Sequence, residues 1–313
     1  MKKLYVDQKP NPAQIGRESL FAARWGIATV AVLIVLKAFA AFASNSGAML
    51  ASLTDSMGDI MISMIAYYSI SLSLKPADED HRFGHGKAEG FSALLQGSIL
   101  IGAAAFITLE TLLRLTKPPV FEHHALVIAV SAISIALTFI LTTIQSRAIK
   151  KTGSLALEAD QKHYTSDILI NGGVIAAALV NLYNGWVIID IAIGLSIAAA
   201  MAFAGWGISK KAADMLMDRE IPEENRQKII ALINANENIL GVHDLRTWMS
   251  GTNIHISFDV EMNGELSLEK AHSISRDLEY SILKEFPNAE ILIHIDPEGD
   301  TYDTRHKVHG VHH

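Results

Sequence analysis

Long apolar runs broken by short polar segments fill the first two-thirds of the chain; after that, helix and strand periods take over. The apolar runs occupy 25–46, 49–74, 90–114, 124–146, 154–182 and 187–209. Each reaches the roughly 20 residues a helix needs to cross the hydrocarbon of a bilayer, so six membrane-spanning helices are predicted. Beyond Asp218 the spacing shortens. Pro222-Glu223-Glu224 opens an amphipathic helix ending near Asn236. Segments 239–249 and 253–262 read as strands joined at Ser250-Gly251, a hairpin signal. Ser267 caps a helix that stops at Pro287, and 289–295 reads as a last strand. The predicted fold is an α-helical membrane protein with six transmembrane helices, followed by a cytoplasmic α+β domain of order αββαβ. The expected division is an N-terminal tail over 1–19, a transmembrane domain over 20–212, a soluble domain over 213–298 and a His-rich tail over 299–313.

The position of charge orients this arrangement. Lys75, Arg82 and Lys87 lie between the second and third runs, Arg147, Lys150 and Lys151 between the fourth and fifth, and Lys210, Lys211 and Arg219 after the sixth. The opposite connections hold only Lys117, with Arg114 at a helix end. The positive-inside rule then puts both termini in the cytoplasm. The first run is too long for a signal peptide and reads as a retained helix. The net charge of −7 argues against a nucleic-acid partner. With no cysteine, disulfides and thiolate metal sites are excluded, and any transition metal must be held by His, Asp and Glu.

Candidate ligands of that kind stand inside the apolar runs. Asp55 and Asp59 in the second run, and His163 and Asp167 in the fifth, are pairs four apart, each on one helix face. An acid at mid-bilayer costs about 2.5–3.5 kcal/mol on insertion scales, so three acids with a histidine need compensation. A divalent cation supplies it. Mixed carboxylate and imidazole donors suit Zn²⁺, with Fe²⁺, Cd²⁺ and Co²⁺ on similar grounds. Metal ligands bind deprotonated, so H⁺ competes with the metal and is the expected coupling ion.

Two more groups carry metal-ligand residues. Asp78, His81 and His85 follow the second run, where a metal-binding turn and a solvated polar loop are both consistent. His243, Asp259, His272, His294 and Asp296 are scattered over the soluble domain; only His294 and Asp296 share a strand face by spacing, and the rest read as surface residues. Lys37 reads as a lysine packed in the bundle or snorkelling along its stem. Glu110 and Arg114 read as a local ion pair, and Asp190 as a solvated group near the interface. His306, His309, His312 and His313 read as a polar end or as a metal-sampling tail.

Four stretches together carry a specific resemblance: Asp55-x3-Asp59, His163-Tyr164-Thr165-Ser166-Asp167, the segment from Pro76 to Lys87 with its Asp78, His81 and His85, and Val242-His243-Asp244-Leu245-Arg246-Thr247. From about residue 20 to 297 the chain resembles the cation diffusion facilitator family, closest to its bacterial YiiP or ferrous-iron efflux pump type. That resemblance implies a homodimeric zinc/proton antiporter of the bacterial inner membrane, with a ferredoxin-like cytoplasmic domain. It implies a transport site of Asp55, Asp59, His163 and Asp167 and a loop site of Asp78, His81 and His85. It further implies a binuclear site at the dimer interface with His243, His272, His294 and Asp296. Asp259 stands where close relatives have a histidine, and His255, on the same strand face, is a candidate to compensate. Lys87 and Asp218 match an ion pair that links the two halves in the family. Two other classes of function remain to be weighed. A membrane metalloprotease would need His-Glu-x-x-His, which the sequence lacks. A metal sensor or scaffold that binds zinc without transporting it fits the same ligands.

Overall fold

The computed structural model describes residues 12–44, 47–113, 115, 124–183 and 187–299. Arg114, Lys117 and the four tail histidines lie outside them. The first six elements are α1 (Pro12–Ser44), α2 (Gly47–Ser73), α3 (Ala88–Leu113), α4 (His124–Thr152), α5 (Leu155–Tyr183) and α6 (Val187–Leu216). Four of these helices, α1, α3, α4 and α6, are long and apolar enough to cross a membrane by length and composition. The other two, α2 and α5, match them in length and carry the Asp and His pairs. The first helix begins well before its apolar run, because Pro12 suits a first helical turn and nothing between it and Ser44 breaks the helix.

The membrane unit, residues 15–213, buries many polar side chains among its apolar ones and exposes large apolar side chains on its outside. Ser56, Ser63, Gln96, Thr138 and Gln145 are buried, while Val35, Phe39, Phe106, Phe139 and Phe203 are exposed. Water would drive such side chains inward, whereas lipid is as apolar as a phenylalanine and leaves small and polar residues to mediate helix packing. The backbones of α3 and α6 meet at glycines: a Cβ on Gly97 would lie 2.9 Å from the Gly205 carbonyl, and one on Gly205 would lie 2.8 Å from the Gly97 carbonyl. Any larger residue at either position pushes the helices apart.

The second unit begins at Asp214 and follows the opposite rule. It contains α7 (Glu223–Asn234), β1 (Gly241–Ser250), β2 (Asn253–Met262), α8 (Leu268–Glu285) and β3 (Ala289–Pro297), the order αββαβ expected. The sheet order is β1-β2-β3, with β1 antiparallel and β3 parallel to β2. Ser267 caps α8 by accepting from the Lys270 amide. Ile229 and Ile233 of α7 and Ile274, Leu278 and Ile282 of α8 bury one helix face each against Leu245, Ile256, Phe258 and Val260 of the strands. The alternate residues of β2 and β3, among them Asp259, His294 and Asp296, therefore stand on the other face of the sheet. Phe258→Ala removes a fully buried ring at the centre of this core. It is expected to cost about 3–5 kcal/mol, read as faster amide hydrogen exchange along β2; unchanged protection would contradict the packing.

Candidate metal centres

The polar pairs of α2 and α5 face one another. Nε2 of His163 lies 2.9 Å from Oδ1 of Asp59 and 3.8 Å from Oδ2 of Asp167. One donor atom from each of these three residues falls within 4.8 Å of the others. Two donors on one tetrahedral zinc, at 2.0–2.2 Å each, stand about 3.3–3.6 Å apart, so small shifts would admit an ion. Asp59 is buried at 6% exposure. Asp55, one turn away on α2, is exposed and stands outside this group of three.

A second polar layer lies about one helical turn away. Asp160, fully buried on α5, accepts from Ser63 Oγ of α2 at 3.0 Å and from Gln145 Nε2 of α4 at 2.7 Å. Ser63 also hydrogen-bonds the Tyr164 hydroxyl. Gly26 of α1 leaves room for this knot, since a Cβ there would stand 3.3 Å from the Asp160 carboxylate. On the far side of the first layer, Lys37 of α1 donates to Ser56 Oγ of α2 at 2.7 Å.

The loop between α2 and α3 forms a compact turn. Oδ1 of Asp78 accepts from the amides of His81 at 2.7 Å and Asp80 at 3.1 Å, an Asx-type closure. Its two oxygens also lie 3.2 Å from His81 Nδ1 and 3.2 Å from His85 Nε2. Gly84, at φ +75°, supplies the left-handed step that brings His85 back toward Asp78. Glu89, at the start of α3, is buried and accepts from Ser154 Oγ at 2.6 Å and the Ala156 amide at 3.3 Å. It thus satisfies part of the N-terminus of α5.

In the soluble domain, strand register assembles what sequence spacing scattered. His243 pairs with Asp259 across β1 and β2, and Asp259 with His294 across β2 and β3. A register shift between His243 and Arg246, with Asp244 at φ 50°, marks a bulge beside His243. Nε2 of His243 lies 3.6 Å from Asp259 and 3.3 Å from Asp296; His294 Nε2 lies 3.0 Å from Asp296. His243, Asp259 and Asp296 form the group of three, while His294 and His272 are exposed and not among them. Burial holds the Asp259 carboxyl above its ordinary range against the pull of His243 and His294. His255 does not join them. Four residues from Asp259, roughly 13 Å along the strand, it stacks on Trp248 with ring centres 5.0 Å apart and lies 3.4 Å from Glu290. Lys87 precedes α3 in the membrane unit, and Asp218, at φ 56°, follows α6 in the other unit.

Residues 24–217 match the family model described as the cation efflux transmembrane domain, and residues 221–298 match that of the cation efflux protein, cytoplasmic domain. The chain belongs to the cation diffusion facilitator family of cation-efflux proteins. Among its relatives, the cation-efflux pump FieF of Shewanella oneidensis is 38% identical over 276 residues, 88% of this chain and 93% of that protein. The FieF pump of Klebsiella pneumoniae is 36% identical over 282 residues, 90% of this chain and 94% of that one. The metal-bound C-terminal domain of the CzcD transporter from Thermotoga maritima is 26% identical, covering 25% of this chain and 93% of that one, with a TM-score of 0.25. The protein is therefore a membrane cation-efflux transporter and not an enzyme.

Sequence reasoning passed over several groups that this transporter places at its sites. Asp160 and Ser63 carried a usable signal, three residues from His163 and four from Asp59 inside apolar runs. Glu261, two residues from Asp259 on the same strand face, lies 4.0 Å from His243. The loop geometry has a direct consequence. The His81 backbone N–H, with help from both histidine rings, holds the Asp78 carboxyl below its ordinary range. A lowered pKa means that the turn is favoured above the ordinary carboxylate midpoint and is lost as pH falls through the lowered one. The His81 amide resonance should therefore titrate below about 3.9, the usual Asp value; a midpoint at or above it would refute the contact.

Proposed function

We propose that this efflux transporter exports a divalent transition-metal cation, Zn²⁺ foremost and Fe²⁺, Cd²⁺ or Co²⁺ on similar grounds, in exchange for protons. The observation that carries the reading is the meeting of Asp59, His163 and Asp167 between two helices otherwise rich in apolar residues. Asp55 is the fourth ligand in this proposal, one turn from Asp59 on the same helix face. The mixed donor set favours a borderline cation, whereas oxygen alone would favour Mg²⁺, Ca²⁺ or Mn²⁺.

One contact supports exchange with protons. Asp59 Oδ1 and His163 Nε2 stand 2.9 Å apart, a hydrogen bond in which the imidazole donates to the carboxylate. A metal at this pair needs the carboxylate ionised and the imidazole neutral with Nε2 free, so any added proton on either group and the metal compete for the site. Alternating exposure of the site to the two sides of the membrane turns this competition into transport. The basic connections after α2, α4 and α6 support cytoplasmic termini in a bacterial inner membrane.

In the loop triad and the His243, Asp259, Asp296 group the histidine-to-aspartate separations are 3.2–3.6 Å, which also suit a zinc ion. Cytosolic metal at the second group, with His294 and His272, is proposed to favour a homodimer through the soluble domain. Asp259 in place of a histidine gives a weaker or single-metal version of that site. Lys87 and Asp218 are proposed to act as an ion pair.

Two measurements test the transport site. Asp55→Ala and Asp167→Ala are each expected to abolish zinc-driven proton movement in proteoliposomes; normal exchange in both would defeat the proposal. His163→Asp, by making the donors all oxygen, is expected to shift preference toward Mn²⁺. An unchanged selectivity series would show that His163 does not discriminate among metals.

A further inference from the structure

A cation site should have no use for a positive charge beside it, yet α1 supplies one. Lys37 is only 5% exposed. Its Nζ donates to Ser56 Oγ at 2.7 Å and to the Ser52 carbonyl at 3.3 Å. Both acceptors are neutral, so they hold the ammonium in place without cancelling its charge. Ser56 follows Asp55 and stands three residues before Asp59, which fixes the charge at the level of the two acids on α2. A lysine buried among helices is costly, and an aliphatic side chain would fill the same space without that penalty.

The charge count gives the lysine a purpose. Three carboxylates and a neutral imidazole around a dication leave one negative charge in excess, and one ammonium balances it. With the dication gone, the ammonium still offsets part of the carboxylate charge. A fixed positive charge repels a bound dication and attracts the carboxylates it leaves, so it weakens binding and assists departure. Low-dielectric surroundings strengthen both effects.

We propose that Lys37 is a positioning residue of electrostatic kind, which limits how tightly the cation is held at Asp59, His163 and Asp167 and thereby sets the rate of release. The inference rests on the reading of that cluster as the transport site. The experiment is zinc transport by the full-length protein in proteoliposomes, with KM and turnover measured separately for Lys37→Gln, Lys37→Met and Lys37→Arg. Lys37→Gln keeps a side-chain N–H donor, one atom shorter, and removes the charge. It is expected to lower the KM for zinc about tenfold and to lower turnover with it, since each extra increment of binding slows departure. Lys37→Met should do the same, and Lys37→Arg should stay near the wild type in both. A lysine that merely braces α1 against α2 would give turnover loss with unchanged or raised KM in Lys37→Gln, and that result overturns the proposal. Asp59→Ala and Asp167→Ala run alongside. If they transport normally, the site itself has been misassigned; if they are inactive while Lys37→Gln keeps the wild-type KM, only the role of Lys37 fails.

Discussion

The crossing of α2 and α5 is the interaction on which the membrane unit depends. Lipid cannot satisfy a buried carboxylate, so Asp59 and Asp160 dictate which faces of the two helices meet. The crossing is pinned at two levels. At one, Asp59 meets His163 through atoms that a cation can claim. At the other, Ser63 is bound to Asp160 and Tyr164, and Gln145 of α4 closes the set. The second level offers a single carboxylate already bonded on both oxygens, so it can keep the helices paired while the first exchanges its occupant. A transport site at the first level, as proposed, would empty repeatedly and so needs such a constant neighbour to hold its walls together.

The same chemistry in water required another architecture. In the soluble domain, burial of Phe258, Ile256 and Leu278 holds the sheet together, and the ligands stand on the face left over. There the register does the work of the helix crossing. Pairing of His243 with Asp259 and of Asp259 with His294 sets three side chains in a row across three strands, and a bulge adjoins the first. A slip of one residue in β2 would turn Asp259 into the core and bring Phe258 out, so the hydrophobic pattern that fixes the fold also fixes the candidate metal ligands.

What could be read from the sequence follows the range of each interaction. Helix and strand periods are local, and the order of elements from α1 to β3 was legible for that reason. Pairs four apart on one helix were legible too, which is why Asp59, His163 and Asp167 could be named before their contact was seen. Contacts between elements carry no such period. Asp259 is 16 residues from His243 and 35 from His294 in the chain, and only strand pairing makes them neighbours. Resemblance to a family supplied that grouping where spacing could not. His255 shows the limit of a shared face: it points the same way as Asp259 but four residues off, and Trp248 occupies it instead. Asp55 shares the helix face of Asp59, and helical spacing alone could not say that it stands outside the group of three donors within 4.8 Å.

Three ligand groups of nearly one composition, carboxylate with imidazole, therefore differ mainly in what surrounds them. The loop triad is largely exposed, the soluble group is half-buried, and the α2–α5 group has a buried aspartate and a buried lysine for company. Water competes with a ligand for every exposed donor and screens its charge, so an exposed triad gains less from a cation and releases it more readily. Burial reverses both effects, and would make the membrane site a trap if nothing opposed it. In the proposed exchange, proton competition at Asp59 and His163 is one source of opposition. The ammonium of Lys37, held by neutral oxygens of α2, is the other that these contacts supply, and unlike a proton it does not have to arrive before it acts.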